Sequence, residues 1–119
     1  MATSGEKIVL FAFRSDPLCF IHVLLNALDL HERGLAGSIV IEGEAVKLIP
    51  VMSREGHFLA PLYQQAKEKG LIVAVCKACS AKMKVTEAVE QEGLPLVGQL
   101  SGHPAMGEFI EQGYRIITF

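Results

Sequence analysis

The hydrophobic pattern of the chain consists of short apolar runs separated by longer amphipathic stretches. Most of these runs lack polar alternation, which is typical of strands buried on both faces of a parallel sheet. They occupy residues 8–13, 38–41, 71–75, 94–97 and 114–119. The last run alternates only in part, and the fourth is short and contains Pro95. The pattern therefore predicts about five strands.

Apolar residues at helical spacing fill the stretches between the predicted strands. Ser15 or Asp16 is predicted to cap the first helix, with Pro17 at its start and Gly34 after its end. Residues 46–51 would fit a helix or a strand interrupted by a proline, and we prefer the helix. Thr86 is predicted to cap a later helix, and residues 101–104 are predicted to open the last one.

Alternation of strands and helices predicts an α/β protein with three layers, α/β/α, around a mainly parallel sheet. The length of 119 residues suits a single domain spanning residues 1–119. The first helix is apolar on most sides from Leu18 to Leu30. One side of a small sheet does not cover such a helix, so we expect it to contact a second subunit in a homo-oligomer.

Composition and charge exclude several classes of partner. The net charge is −2 and the basic residues form no dominant patch, so nucleic acid is not an expected partner. No apolar run approaches the roughly 20 residues that span a bilayer, so no membrane partner is expected. Residues 1–7 lack a secretory pattern, and three cysteines provide no disulfide framework, so we expect a reducing cytoplasmic location. Neither a dinucleotide-binding pattern nor a P-loop occurs, and no cofactor is predicted.

Cys76 is the main candidate for chemistry because it lies where a buried strand gives way to a predicted helix. Free backbone N–H groups at a helix start stabilise a thiolate, and Lys77 adds a positive charge nearby. We therefore expect the pKa of Cys76 to lie below that of a free thiol. The alternative is that Cys76, like Cys19, is simply a buried packing residue.

The loops that follow the strands supply the other candidate residues, since parallel strands place their carboxyl ends at one sheet edge. Cys79 could be a resolving thiol, a metal ligand or a packing residue, and His103 could transfer protons or stabilise a turn. Together with Cys76 they form the predicted catalytic group. The predicted substrate-binding residues are Ser15, Gly43, Glu44, Lys77 and Gly102. A zinc ribbon needs a second ligand pair at short spacing, which the chain lacks, so no metal ligands are assigned.

The order of these features resembles the DsrE/DsrF-like family of small cytoplasmic sulfur-relay proteins. The resemblance rests on the strand entering Cys76, the helix with Ala78 and Ala81, residues 41–45, and the closing residues 111–119. It implies assembly into trimers or hexamers and exchange with sulfur donor and acceptor proteins. In members that carry sulfur, a cysteine at the end of the central strand holds it as a persulfide. Cys76 occupies that position, whereas Cys79 is an addition to the minimal pattern.

Two functions follow from the residues and the resemblance. The first is sulfur trafficking, in which Cys76 carries a persulfide sulfur between donor and acceptor thiols as a sulfurtransferase or sulfur carrier. The alternative is a non-catalytic oligomeric module that senses redox state or binds a metal through Cys76 and Cys79. Whether the protein is an enzyme stays open at this point.

Overall fold

The computed structural model describes residues 6–119 and shows a five-stranded sheet in which every pair of neighbouring strands is parallel. The expectation that the N-terminus lacks a secretory pattern falls mostly on residues 1–5, outside the described residues. The strands occur in the order β4-β3-β2-β1-β5. Their bounds are β1 Lys7–Ala12, β2 Ala36–Ile41, β3 Ile72–Cys76, β4 Leu96–Val97 and β5 Tyr114–Thr118.

Helices connect all the strands, as a parallel sheet requires. Asp16 caps the first helix by accepting a hydrogen bond from the Leu18 N–H, and Pro17 is its first residue, as predicted. A 3-10 helix, Gly43–Leu48, runs directly into α2, which confirms the helical prediction for this stretch. The α-helices are α1 Pro17–Glu32, α2 Ile49–Met52, α3 Ala60–Glu68, α4 Lys77–Lys82, α5 Thr86–Gln91 and α6 Met106–Glu111.

The sheet separates two hydrophobic clusters of unequal size. The larger cluster joins the sheet to α1, α2, α3 and α5, with Phe20, Leu24 and Tyr63 among its fully buried side chains. On the opposite face, Phe11 packs edge to face against Phe109 of α6, with ring centroids 5.5 Å apart. The three-layer α/β/α architecture predicted from the hydrophobic pattern is thus confirmed.

Three local predictions were wrong. The strand that ends at Cys76 is β3, which is second from the edge of the sheet, whereas β2 is central. Thr86 is the first residue of α5, and Val85 occupies the cap position. The last helix begins at Met106, because the segment 101–104 forms a turn in which Ser101 and Gly102 have φ angles of 49° and 94°. Such left-handed residues do not fit the first turn of a right-handed helix.

Within residues 6–119, every helix is too short or too polar to cross a bilayer.

Candidate functional site

Cys76 ends β3 and at the same time caps α4. Its backbone is extended, and its sulfur accepts a hydrogen bond from the N–H of Cys79 at 3.3 Å. The apolar residues of β3 favour a position in the interior of the sheet. The residues after Cys76 favour a helix, so the chain changes direction at Cys76. The predicted strand-to-helix junction is therefore present, and it directs the Cys76 side chain toward the carboxyl edge of the sheet.

Cys79 lies one helical turn beyond Cys76 and faces the 3-10 helix. Its sulfur accepts a hydrogen bond from the Gly43 N–H at 3.2 Å. Gly43 has a φ of 56°, and a Cβ at that position would come within 3.1 Å of the Phe13 carbonyl oxygen. Glycine is therefore the residue that lets the chain turn tightly enough to present this N–H.

His103 reaches both sulfurs from the loop between β4 and α6. Its Nδ1 lies 3.1 Å from the Cys76 Sγ and 3.8 Å from the Cys79 Sγ. Reciprocal backbone hydrogen bonds of 2.8 Å between Leu100 and His103 close the loop. The imidazole is partly exposed, with 45% of its side-chain surface accessible, so it lies between the sulfurs and solvent.

Gly102 attaches the His103 loop to the start of α4. Its carbonyl oxygen accepts a hydrogen bond from the Ala78 N–H at 2.8 Å and lies 3.7 Å from the Cys76 Sγ. A Cβ on Gly102 would come within 2.9 Å of the Ala78 Cβ. Gly43 and Gly102 thus act through their backbones, the first by donating to a sulfur and the second by positioning a loop.

Glu42 is a site residue that the sequence analysis did not select. The pairing of Ile41 with Val75 in neighbouring strands brings the next residues, Glu42 and Cys76, alongside each other. The Glu42 Oε1 lies 3.8 Å from the His103 Nδ1, and only 8% of the residue is exposed. Its position directly after β2, next to β3, was the available signal, whereas Glu44 lies further along the chain.

The remaining predicted residues lie outside this group. Glu44 accepts a hydrogen bond from the Ser15 hydroxyl at 3.4 Å, and both line a cleft at the end of β1. Lys77 is the first residue of α4 and its side chain is exposed. Cys19 is half-buried and lines a cleft with Arg14 and Phe119. The structure therefore brings together Cys76, Cys79 and His103, with backbone contributions from Gly43 and Gly102.

The expected low pKa of Cys76 was wrong. Cys76 is completely buried, and the pKa of its thiol is raised to about 12, with burial as the largest of several causes. The hydrogen bond with the Cys79 side chain and the charge of Glu42 contribute to this rise, while the Cys79 N–H opposes it. Desolvation disfavours the charged thiolate, and the single N–H bond does not offset this effect. Burial also raises the pKa of Glu42, although His103 opposes that shift.

The site can deprotonate Cys76 by local proton transfer even though its pKa is high. A thiol in contact with an imidazole nitrogen can give up its proton as a new bond to sulfur forms. The ligand atoms of Glu42, Cys76, Cys79 and His103 all lie within 4.8 Å of one another, so the same group could also hold a cation. Sulfur chemistry and metal binding are both compatible with this arrangement.

Comparisons with known proteins agree with the fold. An uncharacterized protein of Methanocaldococcus jannaschii, MJ0733, is 34% identical over 97 residues, covering 82% of this chain and 77% of that protein. An uncharacterized protein of Archaeoglobus fulgidus is 34% identical over 60 residues, covering 50% of this chain and 97% of that protein. The structure of BT1422, a conserved protein of unknown function from Bacteroides thetaiotaomicron, superposes with a TM-score of 0.71 at 17% identity. The superposition covers all of this chain and all of BT1422, and this likeness shows the fold.

The family model of the DsrE/DsrF-like family matches residues 25–119, which include Cys76, Cys79 and His103. The match extends from the middle of α1 to the end of β5 and thus covers most of the chain. This chain therefore belongs to the DsrE/DsrF-like family.

Proposed function

We propose that this protein is a sulfur carrier, in which Cys76 holds a persulfide sulfur that passes between donor and acceptor thiols. The observation that carries the proposal is the contact of 3.1 Å between the Cys76 Sγ and the His103 Nδ1, with a second thiol one helical turn away. Membership of the DsrE/DsrF-like family, which is associated with sulfur relay, supports this proposal.

In the loading step, the Cys76 sulfur attacks the outer sulfur of a donor persulfide. A bond forms between Cys76 Sγ and that outer sulfur, while the sulfur–sulfur bond of the donor breaks and the donor leaves as a thiolate. His103 takes the Cys76 proton during the attack and returns it to the departing donor sulfur. Because His103 removes the proton during the attack, Cys76 can react as a thiolate although its pKa in the resting protein is high.

Access to Cys76 depends on the His103 loop, because the cysteine itself is fully buried. Cys79 and the imidazole are the partly exposed groups beside it. The proposal therefore requires the loop that carries His103 to shift enough for a donor persulfide to reach the Cys76 Sγ, while the imidazole stays in contact with that sulfur.

In the release step, an acceptor thiolate attacks the outer sulfur and restores the Cys76 thiolate. Cys79 provides a second route, in which its thiolate attacks the Cys76 Sγ, a Cys76–Cys79 disulfide forms and hydrosulfide leaves. A cellular thiol then reduces the disulfide. Because this second route needs a reductant, the proposal places the protein in the reducing cytoplasm.

Intact-mass analysis after exposure to a low-molecular-weight persulfide tests the proposal. The metal-free, reduced protein should gain the mass of one sulfur atom, and excess thiol reductant should remove it. Cys79→Ser should load normally and release sulfur more slowly, because the internal disulfide route is lost. A protein that gains no sulfur, or one that loads only through Cys79, would overturn the assignment of Cys76.

A further inference from the structure

Four side chains from three separate segments of the chain bring their donor atoms close together. The ligand atoms of Glu42, Cys76, Cys79 and His103 all lie within 4.8 Å of one another. From this convergence we propose that the four residues form a tetrahedral binding site for a thiophilic divalent cation, and that Zn²⁺ is its natural occupant.

Three separations between ligand atoms lie near those of a tetrahedral zinc site, and all four ligand atoms lie within 4.8 Å of one another. With Zn–S bonds of about 2.3 Å and Zn–N bonds of about 2.1 Å, tetrahedral geometry places neighbouring ligand atoms roughly 3.4–3.8 Å apart. The His103 Nδ1 lies 3.8 Å from the Cys79 Sγ and 3.8 Å from the Glu42 Oε1. The contact of 3.1 Å with the Cys76 Sγ is shorter by a few tenths of an ångström and would lengthen slightly around a cation.

The arrangement around the imidazole differs from that of a protease-like catalytic triad and favours a bound cation. In a triad, the nucleophile and the carboxylate contact opposite nitrogens of the histidine. Here the Cys76 Sγ and the Glu42 Oε1 both lie on the Nδ1 side, at 3.1 Å and 3.8 Å. A single proton on Nδ1 can serve only one of them, whereas a central cation would contact all the donor atoms at once.

The charge balance of the buried groups also points to a cation. Glu42 is only 8% exposed, and within residues 6–119 its one ion pair is with His103. A buried carboxylate beside two thiols is unfavourable without a compensating positive charge. A divalent cation would supply that charge, and two sulfurs, one imidazole and one carboxylate are all established zinc ligands.

The backbone around the site holds the ligands in place before a cation binds. The Gly43 N–H contacts the Cys79 sulfur, the Cys79 N–H contacts the Cys76 sulfur, and the Gly102 carbonyl fixes the loop that carries His103. Ligands oriented in this way lose little conformational freedom on binding. The site is therefore preorganised by three independent segments of the chain.

Occupancy by Zn²⁺ would block sulfur loading, since the same Cys76 sulfur would be coordinated. This consequence rests on the proposed function, whereas the metal site itself does not.

Titration of the reduced, metal-free protein with Zn²⁺ against a chromophoric chelator tests the site. We expect one Zn²⁺ per chain. Co²⁺ in place of Zn²⁺ should give the intense visible bands of tetrahedral coordination together with thiolate charge-transfer bands. Glu42→Gln and His103→Gln should each weaken binding by more than about tenfold, as loss of a ligand or of its support does. The matched controls Glu44→Gln, His31→Gln and Cys19→Ser should bind as the unmodified protein does.

Absence of stoichiometric Zn²⁺ binding by the unmodified protein would overturn the inference. Binding that is unaffected by both Glu42→Gln and His103→Gln would overturn it too, because the cation would then lie elsewhere. Sulfur uptake measured on the same metal-free sample separates the two proposals. Uptake without Zn²⁺ binding would contradict only the metal site, and Zn²⁺ binding without uptake would contradict only the sulfur-carrier function.

Discussion

At the scale of single residues, the environment of Cys76 determines how the site reacts. The thiol has no exposed surface, and its pKa is raised to about 12 by burial first and by Cys79 and Glu42 second. Sequence alone placed this cysteine at the strand-to-helix junction correctly. The burial could not be predicted, because residues that contact the sulfur, Gly102 and His103, lie 26 and 27 positions further along the chain.

Alkylation of Cys76 should therefore be slow at neutral pH in the metal-free protein. In the Cys19→Ser/Cys79→Ser double variant, the alkylation rate should rise with pH. Its midpoint should lie above the pKa of about 8.5 of a free cysteine. Burial, the largest cause, remains in this variant. The same protein in denaturant is the control and should titrate as a free thiol. A folded midpoint at or below the denatured one would show that helix N–H groups outweigh desolvation.

Gly102 should be intolerant of a side chain. Gly102→Ala would force alanine into a φ of 94° and bring its Cβ within 2.9 Å of the Ala78 Cβ. Such strain costs about 1–3 kcal/mol of stability. Urea unfolding measures the loss, and Gly107→Ala is the matched control because nothing lies within 4 Å of its added Cβ. Equal stability of the two variants would mean that the His103 loop relaxes without cost.

At the scale of secondary-structure elements, Glu92 connects α5 to α3. Its carboxylate accepts hydrogen bonds from the Tyr63 hydroxyl and from the Lys67 Nζ, the latter at 3.0 Å. Burial acts to raise the pKa of Glu92, but the bonds from Tyr63 and Lys67 and the Lys67 charge together lower it. The charged form of Glu92 is therefore stabilised by folding.

This linkage predicts a loss of stability in acid. Because the folded pKa of Glu92 is below its unfolded value of about 4.3, the contribution is complete above that value and disappears as pH falls through the folded pKa. Urea unfolding measured between about pH 3 and about pH 6 gives the free energy of unfolding. This free energy should depend less on pH in Glu92→Gln than in the unmodified protein. Glu90→Gln, an exposed change on the same helix, should leave the pH dependence as it is. Identical curves for all three proteins would contradict the linkage.

The order and type of most elements could be predicted because their apolar runs are continuous and separated by stretches with helical spacing. The run at β3 has no polar alternation, so it could only fit a strand covered on both faces or a fully buried helix segment. The segment around His103 was predicted less well. Its helix start was placed too early because the left-handed backbone of Ser101 leaves no clear signal in residue type. Glu42 was missed because strand register, not sequence spacing, brings it beside Cys76.

At the scale of the whole molecule, α1 leaves apolar surface uncovered. Leu18 is 70% exposed and Leu25 is 46% exposed, and their seven-residue spacing places them on one face of the helix. The apolar pattern of α1 predicts that this helix needs more cover than one sheet provides, and the oligomer that would supply this cover stays a prediction.

We predict that the protein forms a homo-oligomer through this face of α1. Light scattering at micromolar concentration should give a mass above that of one chain. Leu18→Glu should lower the mass by placing a charge in the contact, whereas Ile110→Glu, at an exposed position on α6, should not. A monomer at every concentration would refute the prediction, and an equal effect of both variants would place the contact elsewhere.

The most direct test of the account is the location of the sulfur atom after loading. Metal-free protein, exposed to a persulfide donor and then alkylated without reduction, can be digested and its cysteine peptides identified by mass. The added sulfur should be on the peptide containing Cys76 and should be bonded to that residue. Cys19→Ser should load fully, and Cys76→Ser should not load. Full loading of Cys76→Ser would contradict the central claim that Cys76 carries the sulfur.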